Sequence, residues 1–214
     1  MHQAKNRGFT LLELLIVIAV LAILSVVVVL VLNPAETLKK ARDSQRIADL
    51  NTVKTAIGLY ITSTNTPYLG VGGTTNNGCT GSFNVWYSKS GVSGATRDGG
   101  SKTATSSATQ ALAGSVDGTG WIPVNLASLT GGSPLSNWPI DPVNTVATLS
   151  AAAGTDLVYR YGCKSSNMTF ELNAKLESDA YTATDNKHQS DGGNNDNLYE
   201  VGTALNILGT GADF

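Results

Sequence analysis

Charged residues are scarce in this 214-residue chain: only 14% of the residues are Asp, Glu, Lys or Arg, and the formal net charge is -2. Domains that bind nucleic acid usually carry a basic patch, so the composition argues against DNA or RNA as a direct partner. Histidine is rarer still, with His2 and His188 only. Because no Ser–His–Asp pattern, nucleophile elbow or phosphate-binding loop is present, we expect no enzymatic activity.

Long apolar runs are confined to the N-terminal end of the chain. A polar segment, residues 1–8, precedes an apolar run over residues 9–32 whose only charged residue is Glu13. As a helix this run is about 36 Å long, which is enough to cross a bilayer core of about 30 Å. A secretory signal peptide has a shorter apolar core, of roughly 7–15 residues. A plain membrane anchor leaves Glu13 unexplained, because a carboxylate in lipid costs about 2.5–3.5 kcal/mol.

The junction between the two segments carries a recognisable string. Residues 7–14 read RGFTLLEL, and they resemble the processing site of class III signal peptides, found in type IV pilins and in pseudopilins of type II secretion. The resemblance implies that a prepilin peptidase cuts between Gly8 and Phe9 on the cytoplasmic side and methylates the new amine of Phe9. It also implies that the leader is inside and the body outside, which the charges leave open because Lys and Arg flank both ends of the apolar run.

Within this resemblance Glu13 has a role in assembly. An ammonium at Phe9 and a carboxylate at Glu13 are both costly in an apolar medium unless they are paired. In a bundle of parallel helices, Glu13 of one subunit can face Phe9 of its neighbour, which neutralises both charges and sets the register. The implied partners are further copies of the chain or related pilins, the prepilin peptidase, an assembly platform and the membrane.

The rest of the sequence predicts an α+β fold, with a long N-terminal helix packed on a C-terminal antiparallel sheet, as in pilins. Pro34 predicts a kink in this helix, and charged residues such as Arg46 and Asp49 are expected to pair on its solvent face. The predicted segments are a leader (1–8), a membrane and polymerisation helix (9–33), an amphipathic helix (34–62), a variable Gly/Ser/Thr-rich connection (63–120) and a β-sheet head (121–214).

Within these segments the residue pattern also predicts individual elements. Residues 83–87, 157–161 and 168–172 are predicted strands, and the last two are expected to be antiparallel neighbours. Residues 103–113 are predicted to form a short helix. The order of a Pro-Ile-Asp-Pro turn (139–142), a Tyr-Arg-Tyr strand (159–161) and an Asp-Gly-Gly loop (191–193) is similar to the head of the major pseudopilin.

Two further sites are expected in the exported part. Cys79 and Cys163 are the only cysteines, and in a loop-rich exported domain we expect them to form a disulfide, the alternative being two unrelated thiols. The loop over residues 185–196 is rich in oxygen-bearing side chains, and the related pseudopilin loop binds calcium. Asp185, Asp191, Asn194 and Asp196 are therefore the expected calcium ligands, and a solvated turn is the alternative.

Three functions remain open from the sequence. The first is a subunit of a type IV pilus that serves adhesion, motility or DNA uptake, and the second is a pseudopilin of a type II secretion system. The third is a membrane-anchored surface protein that does not polymerise, although such a protein has no need of Glu13. The expected location is the bacterial cytoplasmic membrane for the precursor and an extracellular or periplasmic filament for the processed subunit.

Overall fold

The structure is a computed structural model that describes residues 8–71, 74–80, 83–97, 102–105, 113–149 and 152–209. The leader residues Met1–Arg7 lie outside the described residues. The chain divides into two units at the boundary between Lys39 and Lys40.

The first unit contains helix α1, Leu11–Leu32, which is apolar around its whole circumference apart from Glu13 and Ser25. All of its side chains that the structure describes are exposed. Within Leu11–Ser63 lies the candidate membrane span of the described chain, long and apolar enough to cross a bilayer by length and composition. A helix that is apolar all round is typical of a membrane span or a buried core helix, and in the single chain this one is not buried.

The helical region is interrupted at Asn33, one residue before the proline. Asn33 adopts a left-handed conformation with φ 37° and ψ 73° and ends α1. Pro34 then opens helix α2, Pro34–Ser63, where its missing N–H is no loss because the first helical N–H groups have no intrahelical partner. The kink predicted from Pro34 is therefore a break at Asn33 followed by a new helix start.

From Lys40 onward, α2 belongs to the second unit and supplies one side of its core. Its buried residues follow three- and four-residue spacing and form one stripe: Asp43, Arg46, Leu50, Val53, Ala56, Ile57 and Tyr60. The apolar members pack with three buried tryptophans, Trp86, Trp121 and Trp138, in the main hydrophobic cluster. The apolar stripe predicted for this helix from Leu50 onward is thus the face that it buries.

The other side of this core is a six-stranded sheet with the order β2-β3-β1-β4-β5-β6. Its strands are β1 (Phe83–Tyr87), β2 (Ser93–Arg97), β3 (Lys102–Thr105), β4 (Tyr159–Lys164), β5 (Thr169–Ala174) and β6 (Tyr199–Gly202). Strands β1, β4, β5 and β6 are antiparallel neighbours, which confirms the α+β fold. Strand β3 joins β1 in parallel, so one pairing departs from the predicted antiparallel sheet.

Three of these strands come from the segment that the sequence indicated as a connection. Strands β1, β2 and β3 all lie between residues 63 and 120. The short helix predicted over residues 103–113 is wrong for residues 103–105, which belong to β3; residues 106–112 lie outside the described part. A Thr-rich stretch suits a strand better than a helix, because β-branched side chains restrict χ1 in helices.

Where its side chains are described, the sheet buries both of its faces. Tyr159, Tyr161 and Cys163 of β4 point to the cluster shared with α2, while Arg160 between them is also fully buried. On the second face a smaller apolar cluster includes Val85, Val158 and Leu208. Successive side chains of a strand point to opposite faces, so the buried residues Arg160, Glu171, Asn173 and Glu200 form a polar layer on this second face.

An ionic network ties α2 to the loops of the head. Arg46 is fully buried and donates to Asp141 through Nε (2.7 Å) and Nη2 (3.0 Å), and to Asp43 through Nη1 (2.8 Å). It also donates to Glu177, whose carboxylate is bound by Arg42 on its other side. Burial opposes the charge of Glu177, but the hydrogen bonds from both arginines outweigh burial and lower its pKa.

The predicted exposed pair of Arg46 and Asp49 is wrong. Arg46 is turned into the network, and Asp49 instead accepts a hydrogen bond of 2.8 Å from the Tyr159 hydroxyl. Removing one partner of a buried pair leaves an uncompensated charge, at a cost of about 3–5 kcal/mol. The network therefore attaches the segment of α2 around Arg46 to the loops that carry Asp141 and Glu177.

The predicted disulfide is confirmed: Cys79 and Cys163 are bridged, with their Cα atoms 4.9 Å apart. The bridge joins the segment before β1 to β4 across a sequence separation of 84 residues. Both cysteines are fully buried in the main cluster. Because a cross-link restricts the unfolded chain, the bridge stabilises the second unit.

Replacing both cysteines with serine should lower the free energy of unfolding by roughly 2–5 kcal/mol, the usual cost of losing such a bridge. The measurement is a urea titration of the full-length chain in detergent, followed by the fluorescence of the three buried tryptophans. Reductant should shift the wild-type midpoint and leave the double-serine variant unchanged. Equal wild-type midpoints with and without reductant, after mass analysis has shown that both thiols are reduced, would contradict this prediction.

Candidate functional site

The Gly8–Phe9 peptide bond lies outside helix α1 and is open to solvent. Gly8 and Phe9 precede the first helical residue, Leu11, and the Phe9 side chain is 85% exposed. Beyond its chain neighbours, no described residue places an atom within 4 Å of the position that a Gly8 Cβ would take. The structure therefore presents this bond in accessible, non-helical backbone, although cleavage at it stays a prediction.

A capping box starts the helix immediately after this bond. The Thr10 side chain accepts a hydrogen bond of 3.2 Å from the Glu13 N–H. In return, Glu13 Oε2 accepts two bonds of 2.9 Å, one from the Thr10 N–H and one from the Thr10 hydroxyl. The sequence carries the signal for this arrangement, which is a Thr followed three residues later by Glu before an apolar run. No role was predicted for Thr10.

This geometry shows how Glu13 is accommodated without a partner chain. The first N–H groups of a helix have no intrahelical partner, and in an apolar medium an unsatisfied polar group costs several kcal/mol. The box satisfies the N–H groups of Thr10 and Glu13 and gives the carboxylate two donors. The box therefore holds the Glu13 carboxyl in one position at the start of α1.

The Asp/Gly-rich loop organises its own backbone. Asp191 accepts from the N–H groups of Gly193 (2.8 Å) and Glu200 (2.7 Å), and Asp185 pairs with Lys187 at 2.8 Å. Asn194 and Asp196 are exposed. Among the described residues, no group of three or more His, Cys, Asp or Glu side chains is placed to hold a metal ion. Calcium also takes amide and carbonyl oxygens, so calcium binding by these four residues stays a prediction.

Beneath this loop lies a pair of buried acidic residues. Glu171 Oε2 accepts from the N–H groups of Ile207 (2.7 Å) and Leu208 (2.9 Å), which fastens the chain after β6 to the sheet. Glu200 Oε2 accepts from the Asn195 N–H at 2.8 Å. Burial, together with the nearby carboxyl of Glu171, raises the pKa of Glu200 to about 9. Gly193 leaves space for the Glu200 carboxyl that a larger residue would fill.

Three surface depressions among the described residues carry no group suited to acid–base or nucleophilic catalysis apart from hydroxyls. They are lined by small, hydroxyl, amide and aliphatic side chains, with no His, Cys, Asp or Glu among them. His188 is buried next to β6. Its burial is the main cause that lowers its pKa to about 4, and the positive charge of Lys175 is the second. It is therefore neutral at neutral pH.

Comparison with known proteins gives one finding. Residues 3–29 match the family described as a prokaryotic N-terminal methylation motif. No curated protein and no solved structure shows a significant match to the chain. The match covers the segment with the exposed Gly8–Phe9 bond, the Thr10–Glu13 capping box and most of α1.

The free energy of unfolding of Glu200→Gln, measured relative to that of the wild type, should increase as the pH rises from about 5 to about 9. A group whose pKa is raised by folding contributes its full stability below its unfolded value, and this contribution is lost as the pH rises through the folded value. Gln retains an oxygen that accepts from the Asn195 N–H, and it does not titrate. Urea titrations at pH 5, 7 and 9 provide the measurement. The control is Asp196→Asn, an exposed carboxyl of the same loop. Wild-type and Glu200→Gln curves that move in parallel across this range would show that Glu200 does not take up a proton on folding.

Proposed function

Because residues 3–29 are the class III signal peptide of type IV pilins and pseudopilins, we propose that this chain is the precursor of a structural subunit of a type IV pilus or pilus-like filament. In this proposal, prepilin peptidase cuts after Gly8, and Phe9 becomes the methylated N-terminus. The processed subunit then leaves the membrane through an assembly platform and polymerises through α1. Its functions are adhesion, motility or DNA uptake.

The observation that carries the proposal is the uncovered surface of α1. Its described residues are all exposed in the single chain, and large exposed apolar surfaces mark membrane or protein contacts. A bilayer satisfies this surface in the precursor, and neighbouring copies of α1 satisfy it in a filament. The second unit, by contrast, has a complete core with α2 on one face of the sheet. The chain therefore combines a folded head with a helix that needs other molecules around it.

The alternative within the same family is a pseudopilin of a type II secretion system. The Asp/Gly-rich loop favours it by its similarity to the pseudopilin head. The segment between residues 63 and 120 favours a pilus, because it adds β2 and β3 at one edge of the sheet and so enlarges the head beyond the four antiparallel strands. Images of material sheared from the cell surface distinguish the two, since a pilus is shed as long filaments and a pseudopilus remains in the envelope.

Intact-mass analysis of the native protein should show a chain that begins at methylated Phe9. The physical reason is the accessible backbone around Gly8, which suits a peptidase cleft that needs close approach. The matched variant is Gly8→Val, which adds a branched side chain at the cleaved bond and should accumulate as the uncut precursor. A mature wild-type chain that begins at Met1, or that begins beyond α1, would contradict the proposal.

Replacing Glu13 with Gln should leave membrane insertion and cleavage intact and reduce filament formation strongly. Gln keeps an oxygen that can accept from Thr10, so the helix start is retained and only the charge is lost. A buried ammonium without its partner costs about 3–5 kcal/mol, which corresponds to at least a hundredfold for each subunit added. The measurement is the amount of sheared filament relative to processed protein in the membrane.

The control for this experiment is Ser25→Ala. Ser25 is the other polar side chain of α1 and bonds to the Ala22 carbonyl of its own helix at 2.8 Å, so its loss should leave filament yield unchanged. Normal filament yield from Glu13→Gln would show that charge pairing does not drive assembly. Failure of that variant to be cleaved would instead assign Glu13 to recognition by the peptidase.

A further inference from the structure

The two oxygens of the Glu13 carboxylate differ in their contacts. Oε2 receives both hydrogen bonds from Thr10, each 2.9 Å long. Oε1 accepts no hydrogen bond from any residue in the part of the chain that the structure describes. A Glu side chain on an apolar helix otherwise samples several rotamers, and the box restricts it to one in which a single oxygen remains available.

The hydroxyl of Thr10 contributes two of the three hydrogen bonds of this box. It donates to Glu13 Oε2 and accepts from the Glu13 N–H at 3.2 Å. The third bond comes from the Thr10 backbone and does not depend on the side chain. Removal of the hydroxyl alone therefore loosens the carboxylate without removing its charge or changing the length of the helix.

Resting on the filament function proposed above, we propose that Thr10 is a positioning residue for subunit pairing. It ties Oε2 of Glu13 to the start of its own helix and leaves Oε1 to accept the Phe9 ammonium of a second copy. Positioning matters here because an ordered acceptor loses less conformational entropy when the subunits associate. The same box carries the carboxylate through the membrane stage, when the second copy is not yet present.

The test compares Thr10→Val with Thr10→Ser. Valine has nearly the shape of threonine but no hydroxyl, whereas serine keeps the hydroxyl and can form the same box. Each variant carries a C-terminal epitope tag and is co-expressed at low level with the untagged wild-type chain. Incorporation is measured as the fraction of tagged chain in the sheared filament, divided by the fraction of tagged chain among the processed chains in the membrane. The tagged wild-type chain provides the reference value.

We expect Thr10→Val to enter filaments about fivefold less well, the effect of having to order one free side chain when the subunits associate. Thr10→Ser should enter at the wild-type level. In a Glu13→Gln background, Thr10→Val should cause no further loss, because its effect acts through the carboxylate. Both single variants should be processed normally.

Several outcomes overturn the inference while leaving the filament itself in place. They are wild-type incorporation of Thr10→Val, an equal defect in Thr10→Ser, or loss of cleavage in Thr10→Val, which assigns Thr10 to the peptidase. A further fivefold loss in the Glu13→Gln background also overturns it, because Thr10 would then stabilise the helix start alone. If the wild-type chain is processed but forms no filament, the proposed function fails as well.

Discussion

An apolar helix that its own chain does not cover is the constraint on which this protein depends. In α1 the hydrophobic side chains project around the whole helix, so no orientation against a single flat partner buries them all. Such a helix is stable only where its surroundings are apolar on every side, as in a bilayer or among parallel copies of itself. In the proposed assembly, transfer from the bilayer to a filament exchanges one apolar medium for another, so the polar start of the helix is the part that needs a specific partner.

The chain handles costly charges in three ways, and each suits its position. Glu13 pairs with no Lys or Arg side chain in the part of the chain that the structure describes, and the capping box with Thr10 holds its carboxyl at the start of α1. Arg46 has three carboxylate partners within the second unit, so it serves to join α2 to the head and needs nothing from outside. Glu200 has a raised pKa, so a bound proton removes a charge that the second face of the sheet would not tolerate.

Features that depend on neighbouring residues were easier to predict from the sequence than contacts between distant residues. The start of α2 at Pro34 and the buried stripe from Leu50 to Tyr60 depend on neighbours within four residues, and the pattern of side chains indicates both. The Thr10–Glu13 capping box is equally local, but it was not predicted. The partner of Arg46 was assigned to Asp49 because helical spacing places the two side by side. One actual partner, Asp43, is equally local, three residues before Arg46. The other two, Asp141 and Glu177, lie 95 and 131 positions away in the chain, and no local pattern indicates them.

The sequence by itself determined the apolar run with its single acidic residue, the junction at Gly8 and Phe9, and the alternation of the central strands, because these are properties of composition and short-range spacing. Tertiary structure decided the strands that the Thr-rich segment contributes, the parallel pairing of β3 with β1, and the burial of four polar residues on the second face of the sheet. Such features depend on which segments meet after the chain has folded, because the local pattern of side chains does not specify which strands pair or which donors reach a buried carboxylate.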